Sequence, residues 1–283
     1  QINWFLYVSV VLLVLSFKSS SNLAAAYGFS VCATMVMETS IAMTVLGRDR
    51  VGVLRWVVRG AVAIFLCVDL LFLSANMFKL LDGGWFPLVI GLAVFTLMAT
   101  WKRGRVLLSG KLREGELPLK GFVESLEMAP PQRVDGIAIF MTGSSDSVPH
   151  ALLHNLKHNK VLHEQVLIVS VSVFDVPFVP EIDRVEVQAL DFGFYRMFVR
   201  YGFKDEPDIP LALSHCADAG LAFSPLETSY FIGRETLIPR LGSEMAFWRE
   251  KIFVAMFRNA SPATAFFNIP SNRVVELGTQ VVL

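Results

Sequence analysis

The hydrophobic positions of the chain run almost without interruption up to Trp101 and then alternate with charged positions as far as Leu283. A helix needs about 20 predominantly apolar residues to cross the hydrocarbon core of a bilayer. Four apolar runs reach or approach that length and are predicted to be membrane spans: residues 2–17, 23–46, 53–74 and 85–101. The alternating half is typical of a domain that folds in water.

Positive charges between the runs predict the orientation of the spans. They cluster after the second and the fourth runs: Arg48, Arg50, Arg55, Lys102, Arg103 and Arg105. Because loops rich in lysine and arginine stay on the cytoplasmic side, both clusters are expected inside the cell. The sequence therefore predicts a multi-pass protein of the cytoplasmic (inner) membrane, in contact with the lipid bilayer, with a cytosolic C-terminus.

Composition narrows the class of protein further. The hydrophobic fraction is 54%, above the roughly 45–50% of ordinary soluble domains. The formal net charge is zero, which gives no electrostatic footprint for nucleic acid. The chain begins at Gln1 inside an apolar run, so we expect it to be the C-terminal part of a longer polypeptide.

Polar residues inside the predicted spans are the candidates for a transport site. Ser21 and Asn22 begin the second run, where hydroxyl and amide groups either coordinate a cation or cap and pack the helix. Glu38 lies deeper in that run and is either a proton-coupling group or a protonated or paired structural carboxylate. Asp69 is a candidate for charge coupling, or for a structural pair with Lys79 or with a neighbouring helix.

The C-terminal half predicts an α/β domain at residues 134–283. Residues 102–133, with glycines, charges and a Pro-Pro pair, are expected to form a juxtamembrane linker with one short helix near residues 119–127. Short β-branched runs and helical spacings alternate beyond it: 136–141, 149–159, 165–173, 184–190 and 243–258. Alternating strands and helices predict an α/β sandwich.

Two features of this half indicate ligands. His150, His154 and His158 would share one helix face. Together with the nearby His163, they would either bind zinc or form a polar face with pH-sensitive packing. No cysteine or carboxylate stands at a convincing spacing, so no metal is expected. Residues 142–146 lie between a strand and a helix, where α/β sheets hold anions, and form either a nucleotide site or an ordinary cap and turn.

Several stretches resemble the Kup/HAK/KT family of potassium uptake permeases. They are residues 16–36 (SFKSSSNLAAAYGFSVCATMV), 65–72 (FLCVDLLF), 83–91 (GGWFPLVIG), 229–239 and 272–278. The resemblance implies an α-helical membrane bundle followed by a cytosolic α/β regulatory domain. The bundle would be the last four spans of an inverted-repeat transporter of the amino acid/polyamine/cation (APC) superfamily.

The same resemblance implies a function. It is secondary active potassium uptake by proton-coupled symport, with potassium as substrate, the proton as co-substrate, no cofactor and no enzymatic activity. Tyr27 matches a tyrosine that the family places beside bound potassium, with Ser21 and Asn22 as neighbours. The family's principal cation-binding carboxylates belong to earlier spans, so this chain alone is not expected to transport.

The resemblance also implies a role for the C-terminal domain. The domain would regulate the transporter or form a homodimer. Because the family's tail resembles a universal-stress-protein-like fold, a nucleotide is a candidate ligand, with an ordinary cap and turn as the favoured alternative at residues 142–146. Two alternatives stay open for the whole protein: a membrane-anchored nucleotide-sensing protein, and an APC-superfamily transporter of another solute.

Overall fold

Two compact units make up the structure, a computed structural model. It describes residues 2–46, 52–214, 216, 224, 227–240 and 244–282. The helical unit is Gln1–Ala99 and the α/β unit is Thr100–Leu283. Arg48 and Arg50, on which part of the predicted orientation depends, lie outside the described residues.

The helical unit is built from long apolar helices. The described elements are α1 (Ile2–Phe17), α2 (Ser20–Val45), α3 (Val53–Met77), a π-helical turn (Leu80–Gly84) and α4 (Trp85–Arg113), which continues into the α/β unit. By length and composition α2, α3 and the stretch Leu80–Arg113 can each cross a membrane. Helix α1 has 16 residues and, at about 1.5 Å per residue, is shorter than a hydrocarbon core of about 30 Å.

The helices differ from their predicted bounds at three places. Helix α2 begins at Ser20 rather than at residue 23, so its polar first turn is helical, and Ser19 makes no side-chain cap hydrogen bond. Helix α3 continues to Met77 rather than ending at residue 74. Helix α4 does not end at residue 101 but at Arg113, so the first part of the predicted linker is helical.

Strands and short helices alternate through the rest of the α/β unit. They are α5 (Leu119–Met128), β1 (Gln132–Thr142), α6 (His150–Asn159), β2 (Val161–Phe174), α7 (Glu181–Arg184), β3 (Val185–Ala189), β4 (Phe194–Gly202), α8 (Ile209–Ser214), β5 (Thr228–Ile238), α9 (Phe247–Arg258), α10 (Ala263–Phe266), a 3₁₀ turn (Ser271–Arg273) and β6 (Val274–Val282). The predicted α/β class is confirmed.

One sheet organises this unit, with the strand order β3-β4-β2-β1-β5-β6. All neighbouring pairs are parallel except β3 with β4. Strand β1 lies between β2 and β5, so the order reverses there. Open α/β sheets bind ligands outside the carboxyl ends of strands at such reversals.

Both faces of the sheet are covered, as a largely parallel sheet requires. On one face, Leu119 of α5 and Leu152 of α6 belong to the same buried cluster as Phe140 of β1. On the other face, Ile209 and Leu213 of α8 belong to a cluster with strand residues that include Met197.

The C-terminal part of α4 remains helical because it packs against α9. Gly104 lies directly under the ring of Phe253, where any side chain would collide with the ring. The rings of Trp101 and Phe253 are 5.6 Å apart, and Leu108 is buried in the same cluster. Arg249 Nε donates a hydrogen bond of 3.0 Å to the buried Thr100 hydroxyl.

Candidate functional site

Two polar contacts join α2 and α3. The Thr39 hydroxyl donates to a carboxylate oxygen of Asp69 at 2.5 Å, and Asp69 is only 6% exposed. The Asn76 amide donates to Cys32 Sγ at 3.3 Å. Polar groups inside an apolar helix pair are stabilised by partners of this kind. The sequence left two partners open for Asp69, Lys79 and a neighbouring helix. In the structure Asp69 contacts the neighbouring helix α2, and no ion pair with Lys79 occurs among the described residues.

The π-helical turn before α4 lies against the N-terminal half of α2. Gly83 is buried, and a side chain there would collide with the Asn22 carbonyl oxygen. A Cβ on Gly84 would come 3.1 Å from the ring of Phe29. The backbone at Gly83 departs from helical geometry. Such irregular backbone is tolerated at membrane depth only where it is buried in protein or lines a water-filled cavity.

Tyr27 and Glu38 lie on one face of α2. Glu38 follows Tyr27 by 11 residues, which is about three helical turns and a rise of about 16 Å. Val31 and Thr34 lie between them on the same face, and all four side chains are exposed. Tyr27 itself is 72% exposed. We call this row, Tyr27, Val31, Thr34 and Glu38, the Tyr27 face.

The other predicted site residues do not belong to this face. At about 100° per residue, Ser21 and Asn22 are turned about 120° and 140° away from Tyr27 around α2. Asp69 is on α3 and contacts Thr39. Sequence reasoning missed Thr39, Cys32 and Asn76. Thr39 and Cys32 are polar or polarisable side chains inside an apolar run, and that was the available signal. Asn76 follows the predicted run 53–74, so only the longer observed helix α3 brings it into the helix pair.

The loop at residues 142–146 satisfies its own polar groups. Thr142 Oγ1 accepts from the Ser144 backbone N–H at 3.2 Å and donates to the Ser144 carbonyl at 3.0 Å. Asp146 forms an ion pair of 3.2 Å with Arg196. The cap residue of α6 is Pro149, so the segment does not cap that helix. This geometry is that of an ordinary turn.

The histidines are separated by the fold. His154 and His158 stack on α6 with ring centroids 5.9 Å apart, whereas His150 Nε2 contacts the Leu112 carbonyl at 3.1 Å. His163 is on β2, half-buried against Phe231, and burial lowers its pKa. Across the described ranges of the chain, no group of three or more histidine, cysteine, aspartate or glutamate side chains is arranged to hold a metal.

The fold and these polar helices define a class: a multi-pass membrane chain with a C-terminal α/β domain. Residues 1–106 match the family model of the K+ potassium transporter integral membrane domain, and residues 135–283 match that of the K+ potassium transporter C-terminal domain. The chain belongs to the Kup family of potassium transporters.

Curated relatives are similar along the full chain. The probable potassium transport system protein Kup 1 of Dechloromonas aromatica is 62% identical over 283 residues, which are 100% of this chain and 45% of that protein. The Kup protein of Azoarcus sp. is 54% identical and covers 100% of this chain and 44% of its own length. The Kup protein of Myxococcus xanthus is 54% identical over 100% of this chain and 43% of its own length. The chain thus spans less than half the length of these relatives.

Proposed function

We propose that the transporter containing this chain takes up potassium across the cytoplasmic membrane. The observation that carries this proposal is the match of the whole helical unit to the potassium transporter integral membrane domain. The similar relatives are named as probable potassium transport system proteins. Three helices of membrane-crossing length are consistent with this role.

The proposed mechanism is alternating access. In this view α1 to α4 are the last four spans of an APC-like inverted repeat, and the ion is held near the midplane by oxygen ligands while two bundles rock about it. Potassium loses its water shell on binding, so hydroxyl, carbonyl and carboxylate oxygens must replace that shell. The earlier spans would supply most of those ligands.

The Tyr27 face would line the ion path. Its phenol, hydroxyl and carboxylate are exposed along one face of α2, and intramembrane polar residues usually face a bundle interior or water. Ser21 and Asn22 would shape the path from the start of α2, next to Gly83. Potassium at this face would contact the Tyr27 oxygen directly.

Proton coupling would use Glu38. Its exposure on the Tyr27 face leaves it accessible to water in the path, whereas the buried Asp69 accepts a hydrogen bond from Thr39. A coupling carboxylate must exchange a proton during each transport cycle, which favours the accessible group. Asp69 would act by fixing α3 against α2.

Rubidium uptake by the full-length transporter tests the substrate. In a potassium-starved bacterium that lacks its own uptake systems, expression should restore saturable rubidium uptake that potassium inhibits. Uptake of an amino acid without rubidium would instead identify the other-solute alternative. No solute uptake at normal membrane insertion would favour a membrane-anchored sensor.

Substitution of Tyr27 tests the site. Tyr27→Ala should raise the KM for rubidium or abolish uptake, and Tyr27→Phe should show how much depends on the hydroxyl. Tyr7→Phe on α1 is the matched control, because Tyr7 is also exposed, at 62%, and lies outside the Tyr27 face. Unchanged KM and rate in Tyr27→Ala would remove the assignment.

The Glu38→Gln variant separates coupling from binding. It should retain rubidium binding but lose the stimulation of uptake by an inward proton gradient, since glutamine cannot carry the proton. Asp69→Asn should keep the proton dependence if its role is structural. An unchanged proton dependence in Glu38→Gln would contradict the coupling role.

The proposed orientation places the α/β unit in the cytosol. Arg55, Lys102, Arg103 and Arg105 support it, because loops rich in lysine and arginine stay on the cytoplasmic side. Cysteine labelling at position 114 should occur only after the membrane is permeabilised. Labelling of intact cells would overturn this orientation.

A homodimer through the α/β unit is also proposed. Exposed apolar side chains lie together at the carboxyl ends of β2 and β4, among them Val173, Phe178 and Phe203. Their loop is fixed by Asp205, whose carboxylate accepts from the Val179 and Gly202 backbone N–H groups at 3.0 and 2.7 Å. These hydrogen bonds lower the pKa of Asp205. Phe178→Asp should convert a dimer to a monomer in light scattering, and an unchanged mass would reject this surface.

Nucleotide binding by the α/β unit remains a candidate regulatory function. The internally satisfied turn at residues 142–146 gives it little support. Calorimetry of the full-length transporter with ATP or ADP tests it directly. Absence of heat and of thermal stabilisation would reject the idea.

A further inference from the structure

A cavity of about 590 Å³ opens within the α/β unit beside the part of β5 that extends past β1. Strand β1 pairs with β5 only from Thr228 to Phe231, so the following residues of β5, from Ile232 to Leu237, are free to line the cavity. The volume falls within the range of about 300–1,000 Å³ that is usual for small-molecule sites. The lining strand β5 is the neighbour of β1, at which the sheet order reverses, and α/β sheets bind ligands near such reversals.

Three arginines from different elements line this cavity. Arg105 comes from α4, Arg234 from β5 and Arg258 from the last turn of α9. Arg234 is engaged by Glu276 at 2.9 Å. Arg105 and Arg258 have no carboxylate within ion-pairing distance in the part of the chain that the structure describes. Among the described residues, two of the lining cations therefore have no charge partner.

Acidic side chains do not cancel this excess. Glu276 is already paired with Arg234, and the other acidic lining residue is Glu235. Guanidinium groups match phosphate oxygens with paired, charge-assisted hydrogen bonds, which are stronger than neutral ones. The cavity is therefore suited to a phosphate-bearing anion.

The sequence position of two lining residues indicates where such an anion would come from. Trp101 and Arg105 line the cavity. Trp101 is the last residue of the apolar run 85–101, and Arg105 follows it by about one helical turn. Indole rings favour the level of the lipid headgroups, and cytoplasmic leaflets carry anionic lipids. A phospholipid headgroup carries the same phosphate chemistry as a soluble phosphate, and the indole of Trp101 is a side chain that favours the level of the headgroups.

We propose that the cavity bounded by Arg105, Arg234 and Arg258 is a binding site for a phosphate group, and that an anionic phospholipid headgroup is its occupant. The site is separate from the proposed ion path on α2. Its occupant would connect the lipid composition of the membrane to the α/β unit. The proposal holds or fails independently of potassium uptake.

The test uses the full-length transporter in detergent, with short-chain dihexanoyl phosphatidylglycerol and inorganic phosphate as two separate probes. Native mass spectrometry and thermal shift measure binding. The double variant Arg105→Gln, Arg258→Gln should weaken phosphatidylglycerol binding by about tenfold or more, because two charge-assisted contacts are lost. Arg113→Gln is the matched control, since Arg113 lies on the same helix outside the cavity.

Each outcome decides the proposal. If the double variant loses phosphatidylglycerol binding but keeps inorganic phosphate binding, the headgroup site is supported. If the double variant binds both probes equally more weakly, a phosphate site that accepts either source is supported. Weakening of inorganic phosphate binding alone rejects the lipid and retains the anion. No binding of either probe, equal affinity in the double variant, or the same loss in Arg113→Gln overturns the site. A thermal melt without ligand confirms that the variants are folded.

Discussion

The helical unit and the α/β unit bury their apolar side chains very differently. In the described part of the helical unit, the buried apolar side chains are Ala25, Ala26 and Phe29. The α/β unit buries three separate clusters, with Phe140, Phe194 and Phe253 wholly inaccessible. Water forces an apolar face inward, whereas lipid is as apolar as the side chains themselves. Polar contacts and small residues therefore contribute more to the specific packing of helices in the helical unit than they do to packing in the α/β unit.

The largest expected effect is in the α/β unit. Phe253→Ala should lower the free energy of unfolding by about 3–5 kcal/mol, because it removes the ring that packs on Gly104 and leaves a cavity between α9 and α4. Tryptophan fluorescence of the full-length transporter during chemical unfolding measures the loss. Phe266→Ala is the control, since Phe266 is 53% exposed. Similar losses in the two variants would contradict the packing of α4 on α9.

In the helical unit, removal of a single hydroxyl group is expected to cause a smaller loss of stability. Thr39→Val removes the donor to the buried Asp69 and should cost about 1–3 kcal/mol. Thr44→Val is the matched control on the same helix, because the Thr44 hydroxyl bonds only locally, to the Ile41 carbonyl. An SDS titration of the folded transporter measures both variants. Equal stability of the two would mean that the Thr39–Asp69 contact does not hold α2 and α3 together.

The α/β unit should lose stability in acid through His163. Burial holds the pKa of His163 below its usual value, so the unfolded chain binds a proton that the folded chain does not. The stability is therefore present above about pH 6.5 and is lost as the pH falls below it. Melting of the transporter at about pH 7.5 and about pH 5.5 measures this difference. His163→Gln should reduce the difference, and the exposed-site control His158→Gln should not.

The smallest effect is expected from an exposed ion pair beside the same helix contact. Arg103 and Glu244 are 2.8 Å apart, and their side chains are 47% and 72% exposed. Arg103→Gln should cost no more than about 1 kcal/mol, since water screens such pairs. Chemical unfolding in parallel with Phe253→Ala compares the two contributions. A loss as large as that of Phe253→Ala would mean that charge, not packing, holds α4 to α9.

Sequence patterns predicted the strands, whose formation depends mostly on residues that are close along the chain. The alternation of β-branched runs located β1, β2 and β3, because burial on a sheet requires those residue types. The predicted span ends at residue 101, since Lys102 and Arg103 are typical of the end of a span, whereas helix α4 continues to Arg113. The role of Gly104 depends on Phe253, which is far away in sequence.

The candidate sites show the same limit. Polarity within an apolar run made Glu38 and Asp69 candidates, and the family resemblance made Tyr27 one. Their grouping depends on helix rotation and on which neighbour packs where, so Asp69 proved to contact Thr39 on α2. The arginine cavity combines residues from α4, β5 and α9, and no spacing along the chain predicts that convergence.

Substituted-cysteine accessibility along α2 tests the central claim most directly. In the full-length transporter with Cys32 and Cys67 replaced, single cysteines are placed at Val31 and Thr34 on the Tyr27 face, and at Leu70, an exposed apolar position on α3, as the comparison. Aqueous thiol reagents should modify the first two, more slowly when potassium is present, and should not modify the third. Equal labelling at all three positions, or no protection by potassium, would contradict an ion path along the Tyr27 face.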